Sequence, residues 1–337
     1  MAHDQPRPLF WPRGPEENMA GRLRDGLRVR VETEKAQYTA GEEIVGAAVL
    51  IATLPIKHEG VHLRLGCVIR VHAHAADAGR EYLLKTRRYL ENSEQTALSK
   101  GVLAPGEYTL PFRWKIPVNA PASFIKTSPP NTAYVKHRVK VCVRSASFFP
   151  RDSFYDHVFR VYRLHVPDQA HAQMSHPVNK YCCMRSGDVT MLLSLQTNTI
   201  LPGKTITAVI RLDASQCMLT SAPVLLQLKQ QIEYHVRNEK FVISTVMSKW
   251  VGNALVAGEV LEKTVDLATP ADLECSVSAY ELHCRYFLTA TLGYGIVQKK
   301  EVSVEVIVGA LRGDSTKSHA LPPIVDKGPP PQAPDSE

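Results

Sequence analysis

The sequence has no apolar run long enough to cross a membrane as a helix: the longest, residues 44–56, is short and rich in β-branched residues. The opening MAHDQPRPLFWPRGPEEN likewise lacks the apolar core of a secretory signal, so a cytosolic chain is expected. Its seven cysteines are an odd number without framework spacing, which argues against a disulfide-stapled scaffold and for reduced thiols. There is no G-x-S-x-G elbow, no P-loop and no His-Glu-x-x-His helix, so an enzyme would have no nucleophile, base or metal to use. The run Gly293-Tyr294-Gly295 lacks the third glycine and following helix of a dinucleotide loop, and reads as a hairpin turn. His72 and His74 would share one face of a strand, as two metal ligands must, but no third ligand stands at a supporting spacing. No catalytic residue, cofactor or metal is therefore expected.

Aromatic residues are few, 7%, and do not interleave with the basic stripes, so a nucleic-acid binder would lack its stacking platforms. Acidic residues are also short, 33 against 40 basic ones. The shortfall is local. Residues 1–166 hold 25 Lys and Arg against 16 Asp and Glu, a balance of +9, whereas the remainder holds 15 against 17, a balance of −2. Such asymmetry draws an acidic or phosphorylated partner to the N-terminal half.

One pattern occurs twice. Residues 29–50, VRVETEKAQYTAGEEIVGAAVL, align without a gap on residues 191–212, MLLSLQTNTILPGKTITAVIRL. Gly41 falls on Gly203, Val29 on Met191, Tyr38 on Ile200 and Leu50 on Leu212. Each copy runs from one alternating apolar stretch through a glycine turn into another, which predicts a β-hairpin in each and two domains of one fold in tandem.

In chain order, residues 1–25 carry four prolines among charges and read as a mobile leader. A first β-sandwich is expected over 26–166. Within it residues 81–94, EYLLKTRRYLENSE, suit a helix by composition and a strand by alternation, and local pattern does not choose. Residues 103–117 give a Pro-Gly turn followed by an alternating apolar face bounded by prolines, which suits an edge strand. Residues 167–178 have few apolar positions and no period, so a linker is expected there, followed by a second sandwich over 179–312. Residues 313–337 read as a disordered, proline-rich tail. The predicted class is all-β, two tandem sandwiches.

Two stretches also resemble a known family. Residues 103–124, LAPGEYTLPFRWKIPVNAPASF, followed by the AYVKHRVKV strand, resemble the arrestin N-terminal domain, where a glycine turn, a PF strand, an LP-type step and a P-x-SF segment follow in this order. Asn179-Lys180-Tyr181-Cys182-Cys183, Gly187 and the Pro202-Gly203 turn resemble the start of the C-terminal domain in the α-arrestins, and Arg285-Tyr286-Phe287-Leu288 and VEVIVG at 304–309 resemble its last two strands. The resemblance spans roughly residues 27–310. It implies arrestin-like sandwiches and a non-enzymatic cytosolic adaptor or scaffold, linking membrane receptors or transporters to ubiquitination, endocytic sorting and protein transport. Peripheral association with the plasma membrane or endosomes is part of that expectation. The chain departs from many α-arrestins in having no Pro-Pro-x-Tyr motif, so ubiquitin ligases would have to be met by another route. Arg160 stands where arrestins place the arginine of their charged latch, but the sequence shows no acidic residue to match it. The alternative is a structural subunit of an endosomal sorting coat, like the retromer subunit that resembles arrestins.

Candidate site residues follow from alternation. Arg28 and Arg30 leave one side of their strand, and Lys136, Arg138 and Lys140 leave one side of theirs, making stripes that could bind the carboxylates or phosphates of a cargo tail. Cys182 and Cys183 are candidates for lipidation or redox chemistry; being adjacent on a strand, their sulfurs would point to opposite faces.

Overall fold

The computed structural model describes residue 23 and residues 25–311, apart from 78–79, 129–130, 147–151, 181–183, 237–238 and 296–297. Regular structure there is all strand. The first eleven strands are β1 (Leu27–Thr33), β2 (Gln37–Thr39), β3 (Glu43–Ala52), β4 (Ile56–Asp77), β5 (Arg80–Leu98), β6 (Gly101–Leu103), β7 (Gly106–Lys115), β8 (Phe124–Ser128), β9 (Asn131–Ser145), β10 (Ser153–Tyr162) and β11 (Leu164–His165). Then come β12 (Ala170–Lys180), β13 (Met184–Leu195), β14 (Thr199–Ile200), β15 (Thr205–Asp213), β16 (Pro223–Val236), β17 (Glu239–Ala254), β18 (Val260–Ala268), β19 (Val277–Ala279), β20 (Leu282–Tyr294), β21 (Gln298–Val308) and β22 (Ala310–Leu311).

They form two tandem sandwiches. In the first, the sheet β1-β3-β7 faces a larger one ordered β2-β10-β9-β4-β5, with β6 on β4 and β8 on β9. In the second, β12-β13-β15-β18 faces β14-β21-β20-β16-β17, with β19 on β20. The repeated pattern is realised at the level of register: Val29 pairs with Leu50 and Val31 with Ala48, while Met191 pairs with Leu212 and Leu193 with Ile210. Each glycine turn closes with the same bond, Glu42 N–H to Thr39 carbonyl and Lys204 N–H to Leu201 carbonyl, at 3.0 and 3.2 Å. Gly41 and Gly203 take φ of 87° and 75°, the left-handed conformation that such a turn demands and a side chain resists. The simple hairpin needs one correction. Between its arms the chain crosses to the facing sheet, where β2 pairs in parallel with β10 and β14 with β21, burying Tyr38 and Ile200 at equivalent positions.

The ambiguous residues 81–94 belong to β5, because pairing along the length of β4 outweighs their local helix preference. Residues 106–115 form β7, an edge strand as their prolines suggest. Most of the stretch expected to be a linker is strand instead: β12 pairs with β13 from Ala170 to Lys180. Edge position explains the missing signal, since only Val178 of β12 is buried and no alternating apolar face is required.

The sheets share apolar interiors unevenly. Val61, Leu63 and Leu65 of β4, with Val139, Val141 and Val143 of β9, pack on Leu27, Val31, Ile44 and Leu50 from the small sheet. Further along the same face, Cys67, Ile69 and Val71 of β4, Phe124 of β8 and Ala133 and Val135 of β9 join a different cluster, that of Met191, Leu193, Leu226 and Tyr286 in the second sandwich. One face of a long sheet thus serves both cores.

Candidate functional site

Alternation along β9 sends Val135, His137, Val139 and Val141 inward and Lys136, Arg138 and Lys140 outward. His137 is satisfied in the core, its Nε2 lying 2.8 Å from the Pro121 carbonyl, and burial lowers its pKa to about 4, so it stays neutral. The outward side chains stand beside matching positions on β4 and β10: Lys136 opposite Val68, Arg138 opposite Gly66 and Val158, and Lys140 opposite Arg64 and Asp156. Arg70 and Arg144 lie exposed on this same outer face.

These cations are differently engaged. Lys136 places its ammonium 4.7 Å over the Tyr134 ring, and Lys140 places its own 4.9 Å over the Phe154 ring. Both remain half-exposed and keep donors for an anion. Arg138 reaches Asp156 at 2.5 Å, and the pair is largely enclosed, with side-chain exposures of 15% and 11%. Arg138 is therefore a structural member of the face. Arg64 pairs with Glu94 at 3.0 Å, and His62 Nδ1 lies 3.4 Å from the same carboxylate. Burial and nearby Arg144 lower the His62 pKa, so near neutrality that contact is to an uncharged ring.

Arg28 and Arg30 lie elsewhere. They project from β1, in the opposite sheet of the sandwich, so the two stripes occupy opposite outer faces and do not form one surface. Arg30 is already shared between Glu32 at 3.1 Å and Glu107 at 3.4 Å, exposed pairs of little energetic weight. Cys182 and Cys183 lie outside the described residues, as do the side chains of His72 and His74. Among the described residues no group of three or more His, Cys, Asp or Glu is arranged to hold a metal, and no helix is long and apolar enough to cross a membrane.

The sequence pattern missed one acidic residue. Glu274, in the turn before β19 of the second sandwich, lies against β8 and β10 of the first, where its surroundings are the Arg160 guanidinium, the Ile125 backbone N–H and Lys126. Burial raises its pKa to about 7, with those three groups opposing the rise. A buried chain of bonds fixes its backbone: Gln230 donates to the Tyr286 hydroxyl at 2.6 Å, and that hydroxyl donates to the Glu274 carbonyl at 2.8 Å. The only signal was a pair of acids, Asp272 and Glu274, in an otherwise apolar turn.

Known proteins align with this architecture. Residues 27–165 match the arrestin (or S-antigen) N-terminal domain. The chain is also similar to arrestin domain-containing protein 1 of Rattus norvegicus, 21% identical over 323 residues that cover 90% of this chain and 71% of that protein. The matched segment begins with β1 and ends with β11, so the arrestin N-terminal domain match encloses the whole first sandwich.

Proposed function

We propose that this chain is a non-enzymatic adaptor that takes the acidic or phosphorylated cytosolic tail of a membrane receptor or transporter onto the outer face of β4, β9 and β10. One observation supports it most: the arrestin-domain match coincides with the sandwich that holds the excess positive charge and presents Lys136, Lys140, Arg70 and Arg144 on one sheet face. Ammonium and guanidinium groups bind phosphate and carboxylate through charge-assisted hydrogen bonds, and several on one face select a multiply charged tail over a single carboxylate. In this reading residues 26–166 read cargo. The second sandwich supplies the platform through which cargo enters endocytic sorting, at the cytosolic side of the plasma membrane or of endosomes. Ligase contact, where it occurs, uses a surface other than a Pro-Pro-x-Tyr tail.

The test is a titration of labelled acidic tail peptides, with and without phosphate, against the full chain at two salt concentrations. Charges exposed to solvent are screened over about 8 Å at physiological ionic strength, so affinity should fall with salt. The double change Lys136→Glu and Lys140→Glu should weaken binding about tenfold or more. Unchanged affinity in that variant, with unchanged salt dependence, would move the site off this face.

A further inference from the structure

The two halves of β17 are unlike. From Ser248 onward the strand closes on β18 of the facing sheet: the Ser248 hydroxyl donates to the Ala268 carbonyl at 2.7 Å, and the Lys263 ammonium sits 5.1 Å from the centre of the Trp250 ring. Ahead of that point β17 is the outermost strand of its sheet and pairs, among the described residues, with β16 alone. There Val242, Ile243, Ser244, Thr245 and Val246 are five consecutive exposed residues. Side chains alternate between the faces of a strand, so an unbroken exposed run leaves both faces as well as the edge open to solvent.

Natural sheet edges are guarded by charge, proline or a bulge, and this segment has none of them. Four of its five residues are β-branched and none is charged. The register with β16 becomes irregular only beyond Val246. The neighbouring Lys240 lies at the end of this run, outside it, with its ammonium 2.8 Å from the Glu233 carboxylate.

We propose that residues 242–246 of β17 are a self-association edge, pairing antiparallel with the same segment of a second copy of this chain about a two-fold axis at Ser244. That register sets Val242 against Val246 and Ile243 against Thr245, the β-branched cross-strand pairs that stabilise a ladder. The same axis places the two copies' Lys240 at opposite ends of the paired run, so neither ammonium meets the other. Moving the axis to Ile243 would set Lys240 against Val246 and Val242 against Ser244, so the first register is selected. The contact is isologous and closed, a dimer that joins two sheets edge to edge.

Sedimentation velocity of the full chain between about 1 and about 100 µM tests this, a range matched to the modest interface one strand pair provides. The wild-type chain should pass from monomer to dimer, and Ser244→Lys should remain monomeric throughout with an unchanged melting temperature. Val260→Lys, at an exposed position on β18, should dimerise like wild type. Ser244→Cys should form a covalent dimer under mild oxidant where wild type does not, because the axis sets the two thiols opposite each other. A wild-type chain monomeric over the whole range, or a dimer that Ser244→Lys leaves intact, would overturn the proposal.

Discussion

Charge reversal on the basic face should divide sharply between Arg138 and its two neighbours. Arg138 and Asp156 are 2.5 Å apart and largely enclosed, and the second carboxylate oxygen of Asp156 has no hydrogen-bond partner. Removing the guanidinium strands a buried carboxylate, a loss of about 3 kcal/mol, and Arg138→Glu adds a like charge beside it. For a domain of this size about 3 kcal/mol corresponds to roughly 6–12 °C in melting temperature. Lys136→Glu and Lys140→Glu forfeit only contacts with the Tyr134 and Phe154 rings, about 0.5 kcal/mol each at such exposed sites, or roughly 1–2 °C. Differential scanning fluorimetry of the three single variants measures the difference. A fourth variant, Arg138→Met with Asp156→Leu, removes both charges together and should recover most of the loss, because an apolar pair of similar volume replaces an enclosed ion pair at little cost. If Arg138→Glu melts within about 2 °C of Lys136→Glu, the enclosed pair carries no such energy and the division between structural and binding cations is wrong.

Glu274 gives stability a pH dependence of defined sign. Its folded pKa of about 7 lies above the ordinary 4.5, so its contribution is fully present below about 4.5 and is lost as pH rises through about 7, on the order of 2 kcal/mol in all; chemical denaturation of Glu274→Gln should show that slope removed. Gly187 has φ of 114°, and a Cβ there would come 1.6 Å from the Gln216 carbonyl oxygen; Gly187→Ala should cost about 3 kcal/mol or more by urea unfolding, and a wild-type midpoint would refute the close approach. Limited trypsin digestion should nick the exposed connection at Arg163, ahead of the paired β12, and the two fragments should co-elute under native conditions; first cuts within β4 or β9 would count against it.

Periodicity was a good guide wherever one face of a strand is buried and the other is wet. It located the repeated unit to the residue, because burial at Val31, Tyr38, Ile44 and Leu50 and their equivalents leaves the same mark on both copies. It failed on β12, whose edge position imposes almost no apolar requirement, and could not choose for β5, where composition and alternation disagree. The site was only half legible. Alternation indicates that Lys136, Arg138 and Lys140 share a face, but not that Asp156, eighteen residues on, has claimed the middle one. Nor can alternation show that Arg28 and Arg30 belong to the opposite sheet, since sheet membership is a tertiary property.

The seam between the sandwiches decides how independently each half can act. Ile69, Val71, Phe124 and Val135 each leave water completely by joining the second core, and full burial of such a side chain contributes about 1.5–3 kcal/mol. Against several such terms the charge at Glu274, beside Arg160 and Lys126, is small, so its titration adjusts the seam without opening it. The β11–β22 pair, Leu164 with Ala310 and His165 with Leu311, adds backbone bonds between the end of the first sandwich and the end of the second. A tail docked on β9 as proposed would therefore pull on strands whose opposite face is already part of the second core. Load applied to the first sandwich reaches the second through packed side chains, whether or not the covalent connection between them is intact.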